Sequence, residues 1–177
     1  AVNSNWSYFT IERFQWSKKM IGISLGVVGV LVGAVQGGLV RFVNPKIGNE
    51  RSVYLGLSLY ALGMLLFAFA SSSWMMFVFL VPYCLGGISG PALQSIISSH
   101  VPANEQGELQ GALTSLISST TIVGPLMMTS LFSYFVSPKA PVYFPGVSFL
   151  LGFLLMTSSA IWAYISLKKE KYQSVSS

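Results

Sequence analysis

The chain has 177 residues, a formal charge of +5 and a composition that is 53% hydrophobic but 8% charged, against ~25% charged residues in soluble domains. With a mean hydropathy of +0.65, that balance excludes a domain whose surface faces water. It also excludes a nucleic-acid binder, because the basic residues are scattered and form no stripe; they suit anionic lipid headgroups instead.

Charge is segregated along the chain. Asp, Glu, Lys and Arg are absent from Met20–Val40, Ser52–Asn104, Leu109–Pro138 and Ala140–Leu167. A charge at the centre of a membrane helix costs ~2.5–3.5 kcal/mol on insertion scales, and a spanning helix needs roughly 20 apolar residues. The pattern therefore predicts an all-α membrane protein with five complete transmembrane helices.

Residues 1–19 lack the basic start and apolar run of a signal peptide. Trp6-Ser7-Tyr8-Phe9, followed by Glu12, Arg13, Lys18 and Lys19, reads as the end of a preceding transmembrane helix with its external loop, or as an interfacial arm. Residues 20–167 form the five-helix bundle. Its first helix is expected over Lys19–Val40, with Ser17 as N-cap. Gly22, Gly26, Gly29, Gly33 and Gly37 recur every three or four residues, a seam for close packing in lipid. Gln36 projects from the same side, either for an interhelical hydrogen bond or for contact with a cavity.

Ser71-Ser72-Ser73 divides the next stretch into helices over Ser52–Ala70 and Trp74–Ser98. The second holds the lone Cys84, a small packing residue with no disulfide partner. It also contains Gly86-Gly87-Ile88-Ser89-Gly90-Pro91 and then Gln94, and is expected to bend there, with Pro82 as a second bend. A fourth helix is expected over Asn104–Phe135, capped by Asn104 and favoured by Glu105 and Glu108 at its positive end. Gly107, Gln110, Thr114, Ser118, Thr121 and Pro125 share one face of it. That face requires protein or water, so it marks a polar cavity or a packing seam; Gly124-Pro125 is expected to kink the far half. Pro138 and Pro141 flank a turn, and the last helix runs to about Leu167. Residues 168–177 form a basic cytoplasmic tail, with a frayed end over Gln173–Ser177. One side collects Arg41, Lys46, Arg51, Lys168, Lys169 and Lys171, the other Arg13, Lys18, Lys19 and Lys139. The positive-inside rule makes the first side cytoplasmic.

No carboxylate or histidine lies deep in any span, no Cys/His cluster has metal-ligand spacing and there is no phosphate loop. No cofactor and no metal are expected. Gly22-Ile23-Ser24-Leu25-Gly26 matches a nucleophile-elbow string but sits inside a membrane helix. Gly87-Ile88-Ser89-Gly90 resembles an intramembrane serine motif, yet His100 lies about 16 Å further along the same helical direction. Catalysis is not expected.

Several strings resemble the C-terminal half of the major facilitator superfamily, in the drug:proton antiporter branch that includes tetracycline efflux pumps. They are Arg13-Phe14 with Trp16, Gly22-Ile23-Ser24-Leu25 with Gln36, Ala68-Phe69-Ala70 with Trp74, and Gly86-Gly87-Ile88 with Pro91-Ala92-Leu93-Gln94. The most specific is Glu105-Gln106-Gly107-Glu108-Leu109-Gln110-Gly111, continuing to Ile122-Val123-Gly124-Pro125-Leu126. The resemblance covers Trp6 to about Tyr164. It implies the last five helices of a twelve-helix fold, the end of the seventh over Trp6–Phe9, a cytoplasmic C-terminus, and substrate held between two halves that rock. It makes Gln36, Gln94 and Gln110, with Thr114 and Ser118 on the same stripe, candidates for cavity or gate. Gly29, Gly33, Gly37, Gly90, Pro91, Gly124 and Pro125 become kink and packing positions. Lys46, Gly48 and Arg51 keep part of the family's cytoplasmic gating loop, although Arg41 replaces its opening glycine. Tyr60 stands where tetracycline pumps place an aspartate, and Val32 where they commonly place a histidine.

The resulting expectation is a secondary active efflux transporter in the inner membrane of a bacterium, working by proton antiport and present as its C-terminal half. Its partners would be the bilayer, the N-terminal half, protons and a small drug-like substrate more apolar or differently charged than tetracycline. The alternatives are a membrane scaffold or half-transporter module without transport of its own, and an importer of small metabolites on the same fold.

Overall fold

In hydrocarbon every backbone polar group must be satisfied within the protein, which leaves helices and closed barrels, and uncharged runs of this length suit helices. The computed structural model describes residues 2–138 and 140–176, and among these it contains helices and no strands. The helices are α1 (Val2–Phe14), α2 (Lys18–Ala34), α3 (Val40–Ile47), α4 (Asn49–Ala68), α5 (Ser73–Leu85), α6 (Ser89–Ser99), α7 (Gln106–Val136) and α8 (Val147–Ser176). A π-helical turn at Val35–Leu39 joins α2 to α3, and a 3-10 turn at Gly86–Ile88 joins α5 to α6. These combine into 5 spans long and apolar enough to cross a membrane: Lys18–Ile47, Asn49–Ala68, Ser73–Ser99, Ala103–Val136 and Val147–Lys168.

Most boundaries follow from the capping chemistry. Ser17 Oγ accepts from Met20 N at 3.3 Å and starts α2. The serine triplet separates α4 from α5, and Pro82 is accommodated inside α5. Four boundaries differ from expectation. The first span does not stop at Val40; it continues to Ile47, because Pro45 removes only one donor, and it ends where Gly48 adopts φ +88°. The supposed loop thus shrinks to one residue, with Lys46 in α3 and Arg51 in the first turn of α4. Asn104 does not cap α7: it lies in a 3-10 turn at Ala103–Glu105, and no side chain caps the helix that starts at Gln106. Gln106 Nε2 instead donates to Ser98 O and Val101 O, both at 2.8 Å, tying α7 to the end of α6. α7 stays helical through Pro125, and α8 extends to Ser176 where a frayed tail was expected. Lys139, used in the charge count, lies outside the described residues.

α4 is the central post, packing against α5, α6 and α8, while α1 rests on α7 and α2 on α5. Two ends can be distinguished by chemistry. The aromatic end holds the apolar cluster of Trp6, Phe9, Trp16, Met64, Phe67, Met76, Leu80, Phe132 and Phe149. The basic end holds Arg41, Lys46, Arg51 and Lys168, near the opposite ends of their spans. At the aromatic end rings meet edge to face, Trp6 with Phe67 at 5.1 Å and Phe9 with Phe149 at 5.0 Å. Each such pair contributes about 0.5–1.5 kcal/mol beyond area burial. Two indoles pin the entry to α2: Trp6 Nε1 donates to Ser24 Oγ at 3.0 Å, and Trp16 Nε1 to Ser73 Oγ at 2.9 Å.

Close helix approach is concentrated on α4 rather than on the glycine seam of α2. A Cβ on Gly56 would lie 2.7 Å from Ser89 N, and one on Gly63 2.8 Å from Tyr83 Cα. At Gly22, Gly26, Gly29, Gly33 and Gly37 a Cβ meets nothing within 4 Å, so among the described residues that seam has no neighbour. Gly63→Ala must therefore push α4 off α5, at a cost of about 1–3 kcal/mol for overpacking, and lower the thermal midpoint in detergent. Gly33→Ala should leave the midpoint of the isolated chain unchanged or higher; equal losses in both variants would contradict this assignment of close contacts.

Candidate functional site

The mid-membrane polar residues come from three spans at one depth. Gln36, Tyr60 and Gly87 each lie about 16–18 Å from the basic end of their span at 1.5 Å per residue. Gln36 lies in the π-helical turn. Tyr60 is half-buried on α4, where its ring packs edge to face on Tyr83 at 5.1 Å. The 3-10 turn presents bare backbone between them: a Cβ on Gly87 would meet Tyr60 Oη at 3.7 Å, Gln36 Nε2 at 3.8 Å and Val35 Cγ1 at 3.9 Å. Beside it, Gly86 is required by packing, since its Cβ would fall 2.6 Å from Tyr60 Cγ. The result is an uncharged patch of one amide and one phenol hydroxyl over glycine backbone. It can donate and accept hydrogen bonds but offers no fixed charge and no titration near neutrality.

A second polar level lies nearer the basic end. Gln94 Nε2 donates to Gln110 Oε1 at 3.2 Å, bridging α6 and α7. Asn49 Nδ2 donates to Ser95 Oγ at 2.9 Å, bridging α4 and α6. The structure therefore brings the glutamines together in two groups, Gln36 with Tyr60 and Gln94 with Gln110. Thr114, Ser118, Gly90 and Pro91 stand exposed and are not drawn into either group. Thr121 Oγ1 returns to its own helix, donating to Ile117 O at 2.8 Å. The Gly86–Pro91 segment, where a bend was expected, contains the 3-10 turn Gly86–Ile88.

At the aromatic end, Tyr143 Oη donates to Glu12 Oε1 at 2.9 Å and ties the α7–α8 connection to α1. Partial burial, then the hydrogen bond and the charge of Glu12, push the Tyr143 phenol above its ordinary range, with Arg13 opposing. Among the described residues no group of three or more His, Cys, Asp or Glu could hold a metal ion.

Reasoning from sequence missed Gly56, Gly63 and Gly87, and the Trp6–Ser24 and Trp16–Ser73 bonds. Gly56 and Gly63 were detectable, because a spacing of seven puts both on one helix face. The role of Gly87 depends on how two irregular turns meet, and nothing in its local sequence distinguishes it from Gly86.

A family model for the Major Facilitator Superfamily matches residues 1–174. The chain is 39% identical to the class C tetracycline resistance protein of Escherichia coli over 128 residues, which is 72% of this chain and 32% of that protein. It is 35% identical to the class H protein of Pasteurella multocida over 164 residues, 93% of this chain and 40% of that protein. It is 37% identical to the class G protein of Vibrio anguillarum over 128 residues, 72% of this chain and 33% of that protein. The chain thus spans between about a third and two fifths of these relatives' length. No solved structure matches it.

The Gln94–Gln110 bridge should contribute about 0.6 kcal/mol of coupling, the average for hydrogen bonds between membrane helices. A double-mutant cycle of Gln94→Ala and Gln110→Ala on unfolding in detergent measures it; strictly additive losses would show that the two amides do not act together.

Proposed function

The chain belongs to the Major Facilitator Superfamily, and from that premise we propose that it forms the C-terminal half of a secondary active efflux transporter for small, drug-like molecules. The observation that carries this reading is the family match over residues 1–174, supported by the tetracycline resistance proteins among its relatives. The uncharged patch of Gln36, Tyr60 and Gly87 forms this half's wall of the substrate cavity. The Gln94–Gln110 pair, with Thr114 and Ser118 beyond it on α7, lines the path towards the basic end. Lys46, Gly48 and Arg51 act at the gate on that side, which is cytoplasmic in an inner-membrane protein.

The mechanism follows from what this half lacks. Gln36 and Tyr60 offer hydrogen bonds whose strength does not vary with pH near neutrality, so they orient a neutral polar group of the cargo without taking part in proton exchange. Cargo bound to two walls couples them, and rocking of one half against the other exposes it to alternate sides. Proton antiport requires a titrating group inside the membrane. Val32 and Tyr60 provide none, so the proton carriers lie in the N-terminal half. The open glycine face of α2 and the exposed stripe of α7 are the surfaces that half covers.

The full-length gene, expressed in a drug-sensitive host and assayed for efflux across a drug panel with and without a proton gradient, tests the proposal. The expected result is gradient-dependent efflux, with Gln36→Ala and Gln110→Ala altering the cargo profile more than expression. Efflux that survives collapse of the gradient would remove the proton from the mechanism, and no efflux of any drug would favour a scaffold. The isolated chain in liposomes should move no substrate, because one cavity wall is missing; uptake by it would overturn the half-transporter reading.

A further inference from the structure

Among the described residues, two non-α turns interrupt the interior of a span, and they face each other. The first is the π-helical turn Val35–Leu39, in which Val40 N–H reaches back to Val35 O. The second is the 3-10 turn Gly86–Ile88, closed by Ser89 N–H to Gly86 O and by Ser89 Oγ to the same carbonyl at 2.8 Å. Their contact is direct, since Val35 and Gln36 cover the position where Gly87 would carry a Cβ. Non-α stretches inside a helix commonly mark functional hinges and sites.

The two turns differ in how firmly they are held. The 3-10 turn is locked to α4: Gly86 has no room for a side chain against Tyr60 and Gly56 O, and Gly56 has none against Ser89. The π-helical turn is held at Val35, which is buried, but not at its glycines. A Cβ on Gly37 or Gly38 would meet nothing within 4 Å, so no contact among the described residues requires glycine at either position. What glycine does supply is backbone freedom. On the far side of this turn, α3 contains no buried residue, and Phe42 is 70% exposed. Its other end stops at Gly48, the described glycine with positive φ. Immediately beyond, Asn49 is tied to Ser95 on α6. α3 is thus a short rod carrying Arg41 and Lys46, with a glycine-containing turn at one end and Gly48 at the other.

We infer that the π-helical turn at Val35–Leu39 is a hinge, the 3-10 turn at Gly86–Ile88 the bearing it works against, and α3 the lever that moves. Swinging α3 shifts Arg41 and Lys46 at the basic end and, through the same turn, changes how Gln36 is presented to Tyr60. The bond network of α4, α5 and the aromatic end does not need to change. This hinge is a property of the backbone and is independent of which cargo, if any, the cavity holds.

Spin-label distance measurements on the full-length protein in lipid nanodiscs test it, with Cys84 and any other cysteine replaced by Ala. One label pair spans the hinge, Phe42→Cys on α3 and Ile165→Cys on α8. The control pair, Val30→Cys on α2 and Leu155→Cys on α8, lies on the near side of it. All four positions are more than half exposed, at 70%, 57%, 74% and 52%. The hinge pair should give a distance distribution about twice as broad as the control pair, as expected for collective motion of an element. The double variant Gly37→Ala/Gly38→Ala should narrow it to the control width, because alanine favours regular helix over glycine. Equal widths in the parent, or an unchanged width in the double variant, would overturn the hinge. Loss of folding in the double variant, repeated in Gly38→Ala alone, would overturn it as well, by showing that these glycines serve packing. Failure of the efflux assay leaves these readouts standing, so the two readings fail separately.

Discussion

Hydrocarbon removes the force that assembles soluble proteins. Lipid tails are as apolar as leucine, so burying leucine against leucine gains little, and helices associate where their backbones come close enough for dense packing and weak polar contacts. In this chain that closeness is provided by α4. Gly56 and Gly63 lie on one face and admit the backbone of α5 and α6 with no space to spare. Ser89, Gly86 and Tyr83 fill the other side of that contact. Around this post the remaining elements differ in how much support they receive. α5 and α6 are pinned, the aromatic end is closed by ring contacts and two indole bonds, and α3 and the first two-thirds of α7 stay on the outside.

The same post orders the polar residues. A chain of rings runs from the aromatic end towards mid-membrane, Trp6 to Phe67, Phe67 to Tyr83 and Tyr83 to Tyr60. It ends at the phenol that faces Gln36 across Gly87. A tyrosine in this place has consequences that a carboxylate would not. It fills volume against Gly86, it offers a hydrogen bond in one protonation state throughout the physiological range, and it carries no charge that needs a counter-ion in low dielectric. This patch therefore offers shape and neutral hydrogen bonding rather than charge.

The candidate residues fall into two groups, one around Gly87 and one nearer the basic end. Gln36 on the π-helical turn and Tyr60 on α4 both approach Gly87. Gln94 and Gln110 connect α6 to α7, and Gln106 closes the same two helices with its bonds to Ser98 and Val101. Side-chain amides thus link α6 and α7 near the basic end. Such bonds between membrane helices are individually weak.

The residue string alone determined the class of environment and the number of spans, because exclusion of charge from hydrocarbon acts on every position of every span regardless of how the spans pack. It also determined Ser17 as a cap and the serine break between α4 and α5, since capping and turn chemistry are local. It misjudged the end of the first span, where Arg41, Pro45 and Lys46 read as a loop but the helix continues until Gly48 turns it, and it misjudged Asn104, whose neighbours form a 3-10 turn held by Gln106. Tertiary structure decided which glycines are contacts. Gly22 to Gly37 have the stronger periodicity yet touch nothing in this chain, while Gly56, Gly63 and Gly86 are indispensable. It also decided that Gln36, Tyr60 and Gly87 meet. Periodicity records that a face is smooth, and only the positions of the other helices determine what lies against it.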